Sequence, residues 1–211
     1  MYHTVGVIEL KSIAKGIEAC DAALKSAGVR LISAHPSCPG KYEIVLTGDI
    51  ADVTAAIEHV KNRFDGGIID ASLMGRIDEQ VIAALFGSQN AEKKGSIGVL
   101  ETFSSSAAIK AADLAVKTAK VAIYDLRVSR GMGGKGIVIL TGDVADVTAA
   151  VEAGAAYAAP PWSRVRHMPP KAVFSTAKAL FPHRMRIFGN SFDDLHHAMK
   201  GKFVHYGYLQ C

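Results

Sequence analysis

Cysteine is scarce in this 211-residue chain, with thiols only at positions 20, 38 and 211. That spacing makes no metal-binding motif and no disulfide framework, which suits a reducing compartment. Aromatic residues are few, at 7%. No run approaches the roughly 18 uninterrupted apolar residues of a membrane span, so no membrane association is expected. The opening MYHTVGVIEL enters a strand-like pattern without a basic leader or cleavage site, and a cytoplasmic protein is expected. Proline is almost absent before residue 160; the two exceptions, Pro36 and Pro39, bracket Cys38 in the stretch HPSCPGK.

Charge is uneven. Residues 1–159 carry 16 Lys/Arg against 18 Asp/Glu, whereas residues 160–211 carry 8 against 2. The same C-terminal quarter holds five of the eight histidines, five of the seven prolines and the only tryptophan. A compositional break of this kind marks a change of regime along the chain. The mildly acidic remainder gives no reason to expect nucleic acid.

The chain repeats itself. VGVIELKSIAKGIEACDAALKSAGV (5–29) returns as IGVLETFSSSAAIKAADLAVKTAKV (97–121), and KYEIVLTGDIADVTAAIE (41–58) returns as KGIVILTGDVADVTAAVE (135–152). In the second pair 12 of 18 positions are identical. The length difference falls where HPSCPGK faces VSRGMGGK, in a loop that tolerates it. This is a tandem duplication.

Each copy has the same order of elements. VGVIEL and IGVLET read as buried strands. In the helix that follows, Ile13, Ile17, Cys20, Ala23 and Leu24 are expected to form one buried stripe, closed by Gly28. VRLISAH and YEIVLTGD are strands, and Asp49 is placed to cap the helix ADVTAAIEHVKNRF. GGIIDASL and the helix DEQVIAALFG complete the first copy. The order βαββαβ implies an α+β domain of ferredoxin-like type, an antiparallel sheet with helices on one face. Domain limits are expected at 1–88 and 97–159, joined by a polar linker at 89–96.

The second copy lacks a counterpart of GGIIDASL, and residues 160–211 form an atypical basic segment without a recognisable strand. Ser191 is placed to cap a short helix through Met199. Several readings stay open for this segment: a partner-binding extension, a divergent domain end, disordered sequence, or translation in a shifted frame after Ala159.

The 5–29 and 97–121 blocks, with the TGDIADV turn, resemble the shell proteins of bacterial microcompartments. Two copies in one chain resemble the tandem, trimer-forming subclass. SCPGK in one copy and GMGGK in the other are most similar to the iron–sulfur-binding tandem shell proteins of propanediol-utilisation compartments. The resemblance covers residues 1 to about 159. It implies a non-enzymatic homotrimer whose six domains mimic a hexamer, tiling with other shell proteins around enclosed redox enzymes. It also places Lys25 and Lys117 at the tile edge with Arg76, although the motif MGRID keeps only the arginine of the family's edge pattern.

Within one chain Cys38 is open to three readings: an apolar filler, a nucleophile with His35 as base, or a metal ligand. In a trimer one loop cysteine becomes three around the axis. Three thiolates suit a [4Fe–4S] cluster or a soft metal; a cluster takes a water, a small molecule or another protein as fourth ligand. Pro36, Ser37, Pro39 and Gly40 then form the first pore loop, and Gly131, Met132, Gly133 and Gly134 the second. GMGGKG formally matches a dinucleotide fingerprint, but a strand follows it where a phosphate-binding helix is required. Cys20, on a helix's apolar face, reads as core. The alternatives from other classes are a cysteine-dependent redox enzyme and a ligand-binding regulatory oligomer on a similar scaffold.

Overall fold

A computed structural model describes residues 4–88, 96–129, 131–158 and 173–174. The chain divides into two units, Met1–Phe86 and Gly87–Cys211. The first runs β1 (Thr4–Leu10), α1 (Ile13–Ser26), β2 (Arg30–Ser37), β3 (Lys41–Gly48), α2 (Ile50–Arg63), β4 (Ile68–Met74) and α3 (Glu79–Leu85). The second runs β5 (Ser96–Thr102), α4 (Ser105–Thr118), β6 (Ala122–Val128), β7 (Gly136–Gly142), α5 (Val144–Ala158) and β8 (Val173–Phe174). Each unit builds one antiparallel four-stranded sheet, in the orders β2-β3-β1-β4 and β6-β7-β5-β8. The expected α+β duplication is therefore the fold.

Alternation along the strands assigns the faces. In the first unit Ile8 and Leu10 of β1, with Tyr42, Ile44 and Leu46 of β3, point at α1 and α2. There they meet Ala19, Cys20 and Ala23 on one helix and Val53, Ala56, Ile57 and Val60 on the other. Each large side chain so buried contributes about 1.5–3 kcal/mol. Gly6 lies opposite α2, where a Cβ would come 2.7 Å from Val53; Gly98 repeats this against Val147 and Val151. A strand without a side chain there lets the helix close on the sheet.

Several details differ from expectation. Ile13, Ile17 and Leu24 are exposed, at 40%, 57% and 38%, because the buried stripe of α1 runs through Gly16, Ala19, Cys20 and Ala23. Four small residues bring the helix close to the sheet, and that turns the three larger side chains outward. Helix α1 ends in an extended residue, Ala27, so Gly28 is no left-handed cap. A Cβ on Gly28 would stand 3.1 Å from Asp52 Oδ2, and the glycine serves close approach instead. Asp49 occupies the cap position of α2 without a capping side-chain hydrogen bond. Cap bonds are made by Ser12, which accepts from the Lys15 amide, and Ser104, which accepts from the Ala107 amide.

The C-terminal segment does supply a strand that periodicity could not reveal. Val173 and Phe174 pair with Gly98 and Ile97 as Leu73 and Met74 pair with Gly6 and Val5. Two residues are too few to carry a pattern. The linker residues 89–95, the basic stretch after Ala159 apart from this pair, the helix expected from Ser191, and Cys211 lie outside the described residues.

Candidate functional site

Cys38 sits on the connection between β2 and β3. The strands stay paired to the end, through His35 with Glu43, Pro36 with Tyr42 and Ser37 with Lys41. Pro36 and Ser37 therefore belong to strand β2, a correction to the expected pore loop. Ser37 is buried, and only Cys38, Pro39 and Gly40 form the turn. Pro36 is tolerated because β2 is the edge strand of its sheet, where proline costs least. The Cys38–Pro39 peptide is cis, the arrangement of a type VI turn with proline in third place. Gly40 takes φ +78° with open space where a Cβ would stand, so glycine is required there by conformation and not by crowding. The thiol of Cys38 is half-buried at the tip, whereas Cys20 lies in the core. Burial, helped by Asp21, raises the Cys20 thiol above its ordinary range.

The equivalent connection in the second unit is the turn Gly131–Gly134 between β6 and β7. Gly131, Gly133 and Gly134 all have positive φ, which explains the glycine content without a nucleotide. Below it the hairpin is closed by hydrogen bonds from Ser129 N to Lys135 O and from Lys135 N to Met132 O. The hydroxyls of Ser105 and Ser129 are bonded to each other in the interior. Met132 is half-buried. One copy thus carries a thiol on a three-residue turn, and the other a wider glycine turn.

The expected edge residues fall at matching ends of the two units. Lys25 and Lys117 lie in the last turns of α1 and α4, each paired with an aspartate four residues earlier at 2.7 Å. The environments differ: Asp21 is 62% exposed and Asp113 only 1%. Arg76 follows β4 with φ +56°. The segments carrying Lys25 and Arg76 both meet the start of α2, through Gly28 against Asp52 and Gly75 against Ile50.

Reading from sequence missed a row of titratable groups beneath the Cys38 turn. His35, Glu43, Glu9 and Asp70 are successive register partners across β2, β3, β1 and β4. Such residues share one face. Glu43 and Glu9 are buried, at 0% and 2%. His35 Nε2 is 3.7 Å from Glu43 Oε1, and Lys41 Nζ donates to Glu9 Oε2 at 3.3 Å. The signal was available: glutamates in VGVIEL and YEIVL occupy strands that are otherwise apolar.

Within a single chain, no group of three His, Cys, Asp or Glu among the described residues is arranged to hold a metal ion. One protomer offers one thiol on a stiff turn, so a multi-thiolate centre requires several copies of the chain. No described helix is long and apolar enough to cross a membrane.

Fold and duplication define the class. The BMC domain family matches residues 4–77 and again residues 96–167, so the chain belongs to that family as a tandem microcompartment shell protein. It is similar to bacterial microcompartment shell protein PduT of Citrobacter freundii, 39% identical over 151 residues that cover 72% of this chain and 82% of that protein. A microcompartment protein of known crystal structure from Desulfitobacterium hafniense is 40% identical with a TM-score of 0.70, over 72% of this chain and 85% of that one. The carboxysome assembly protein CcmO of Synechococcus elongatus is 29% identical, over 71% of this chain and 58% of its own length.

Proposed function

We propose that three copies of this chain form a tile of a bacterial microcompartment shell, with the Cys38 turns meeting at the three-fold axis around a shared [4Fe–4S] cluster. The observation that carries this reading is the placement of Cys38. It stands at a hairpin tip on a turn stiffened by Pro39, in one copy of the duplication only. Three thiolates from three chains provide three ligands, and a water, a small molecule or another protein the fourth. Such a centre supplies one-electron transfer. The turn residues Cys38–Gly40 hold the ligand, while Gly131–Gly134 shape the opening for metabolites. The trimer is further supported by Ile13, Ile17 and Leu24, an exposed apolar stripe at helical spacing on α1; of its equivalents Ser105 and Ile109 are buried and Val116 is half-buried. Lys25, Lys117 and Arg76 would then face neighbouring tiles. Electron exchange with enclosed redox enzymes is the role this implies.

The test is anaerobic purification with iron and sulfide, followed by absorption and electron paramagnetic resonance spectroscopy and native mass spectrometry. Expected are one cluster per trimer, its loss in Cys38→Ser with the trimer intact, and two-dimensional sheets by electron microscopy. A monomer, or a cluster that survives Cys38→Ser, overturns the reading. Turnover of a thiol-dependent substrate by isolated trimers would favour the enzyme with His35 and Cys38, and ligand capture without tiling would favour the regulator.

A further inference from the structure

We propose that the buried hydroxyl of Ser37 donates a hydrogen bond to the Cys38 sulfur once that sulfur ligates a metal centre, and so raises the potential of the centre. The inference rests on the reading of Cys38 as a ligand shared by three chains, and it names the residue that tunes that ligand. Ser37 acts through the sulfur and is a positioning residue.

The first observation is an orphaned polar atom. Ser37 ends β2 opposite Lys41, in the last strand pair before the turn. It is 6% exposed, and its Oγ is buried without a hydrogen-bond partner among the described residues. A hydroxyl so placed loses its bonds to water without replacement, which is costly. Alanine would occupy the same place without that cost.

The duplication supplies the second observation. Ser129 stands opposite Lys135 as Ser37 stands opposite Lys41, and it is buried too. Its hydroxyl is bonded to that of Ser105, the first residue of α4. The matching first residue of α1 is Ile13, whose side chain neither donates nor accepts. Both copies therefore keep the serine. The copy without a turn cysteine satisfies its hydroxyl from a helix; the copy with Cys38 leaves the hydroxyl next to the thiol unsatisfied.

Reach is set by covalent geometry. Consecutive Cα atoms lie about 3.8 Å apart, and Oγ and Sγ each turn on a single χ1 bond. Rotation of these two side chains is enough to bring the atoms together. What decides the bond is charge. A thiol sulfur is a weak acceptor, whereas a sulfur that ligates iron carries negative charge and attracts a donor strongly. The contacts that Cys38 already makes are compatible with this, because the donor comes from Ser37. His35 Nδ1 and Glu9 Oε1 are also buried without partners, but they belong to the next row of the sheet, farther from the turn. Hydrogen bonds to the sulfurs are among the influences that set a cluster's potential. One added electron makes the sulfurs more negative, and a donor on each of three chains stabilises that state.

The test is a redox titration of the loaded trimer, with dithionite as reductant and electron paramagnetic resonance as readout. Ser37→Ala is expected to move the midpoint to a more negative potential, and Ser37→Thr, which keeps the hydroxyl, to return it toward the original value. Ser129→Ala, the matching change in the second unit, should leave it unchanged. A second readout uses cobalt(II) alone in place of the cluster. Loss of the donor raises the energy of the sulfur lone pairs, so the sulfur-to-cobalt charge-transfer band should move to longer wavelength in Ser37→Ala. A centre whose potential and band are the same in Ser37→Ala as in the unaltered chain overturns this proposal and leaves the shared site standing. An equal shift in Ser129→Ala, or a Ser37→Thr variant that behaves as Ser37→Ala, overturns it as an effect of hairpin packing. If the unaltered chain takes up neither cluster nor cobalt, the shared site fails and this proposal with it.

Discussion

In the first unit the ring of Tyr42 lies against a glycine, Gly16, where any Cβ would fall well inside van der Waals contact with it. In the second unit the same two positions hold Gly136 and Ala108, and now a Cβ on the strand glycine would strike the helix alanine. The two copies share topology, register and cap serines, yet the bulk at this strand–helix contact has changed sides. Interiors are packed to fixed volume, so each member of such a pair is tolerated only with its partner. The lesson extends to the sheet's other face, where one copy buries Glu43 and the other places a half-buried Ile137. Duplication kept the scaffold and freed individual contacts to diverge.

The strongest way to break the comparison is to cross the pairs. Gly16→Ala leaves Tyr42 in place and is expected to cost about 3 kcal/mol by overpacking, read as a fall in thermal midpoint. Adding Tyr42→Gly, the second unit's residue, should recover part of that loss, and strictly additive effects would refute the coupling. Next in size is Lys117→Ala, which takes the 2.7 Å ion-pair partner from the buried Asp113, near which Lys110 stands at 3.9 Å. A loss of about 1–2 kcal/mol is expected in denaturant titration. Its counterpart Lys25→Ala removes an exposed pair and should cost about 0.5 kcal/mol or less; equal losses would show that the two edges are not distinguished by burial. The smallest effect is chemical and leaves stability unchanged. In the cluster-free folded chain iodoacetamide should modify Cys38 while Cys20, buried and with its thiol raised, reacts only on unfolding; peptide mapping reads both sites.

Much of this was legible in the residues. The duplication, the element order, the hairpin under SCPGK and the glycine turn all follow from pattern and punctuation. The misses have local causes, and the first is that helical spacing gives a stripe but not its orientation. Ile13, Ile17 and Leu24 have the right period, but Gly16 and Ala19 decide which side of α1 reaches the sheet. Strand β8 escaped because two residues hold no periodicity, and Pro36 and Ser37 because a proline in an edge strand looks like a loop.

By itself the sequence determined the tandem duplication and the α+β order of elements, since two aligned blocks with alternating strands and amphipathic helices admit few other folds, and the same blocks carried the resemblance to microcompartment shell proteins. It also singled out Cys38, the one cysteine set between prolines in a turn. Only the tertiary structure decided what lies beneath that turn. Strand register is a relation between segments distant in sequence, and it alone brings Glu9, Glu43, His35 and Asp70 into one row, in which the two glutamates are buried.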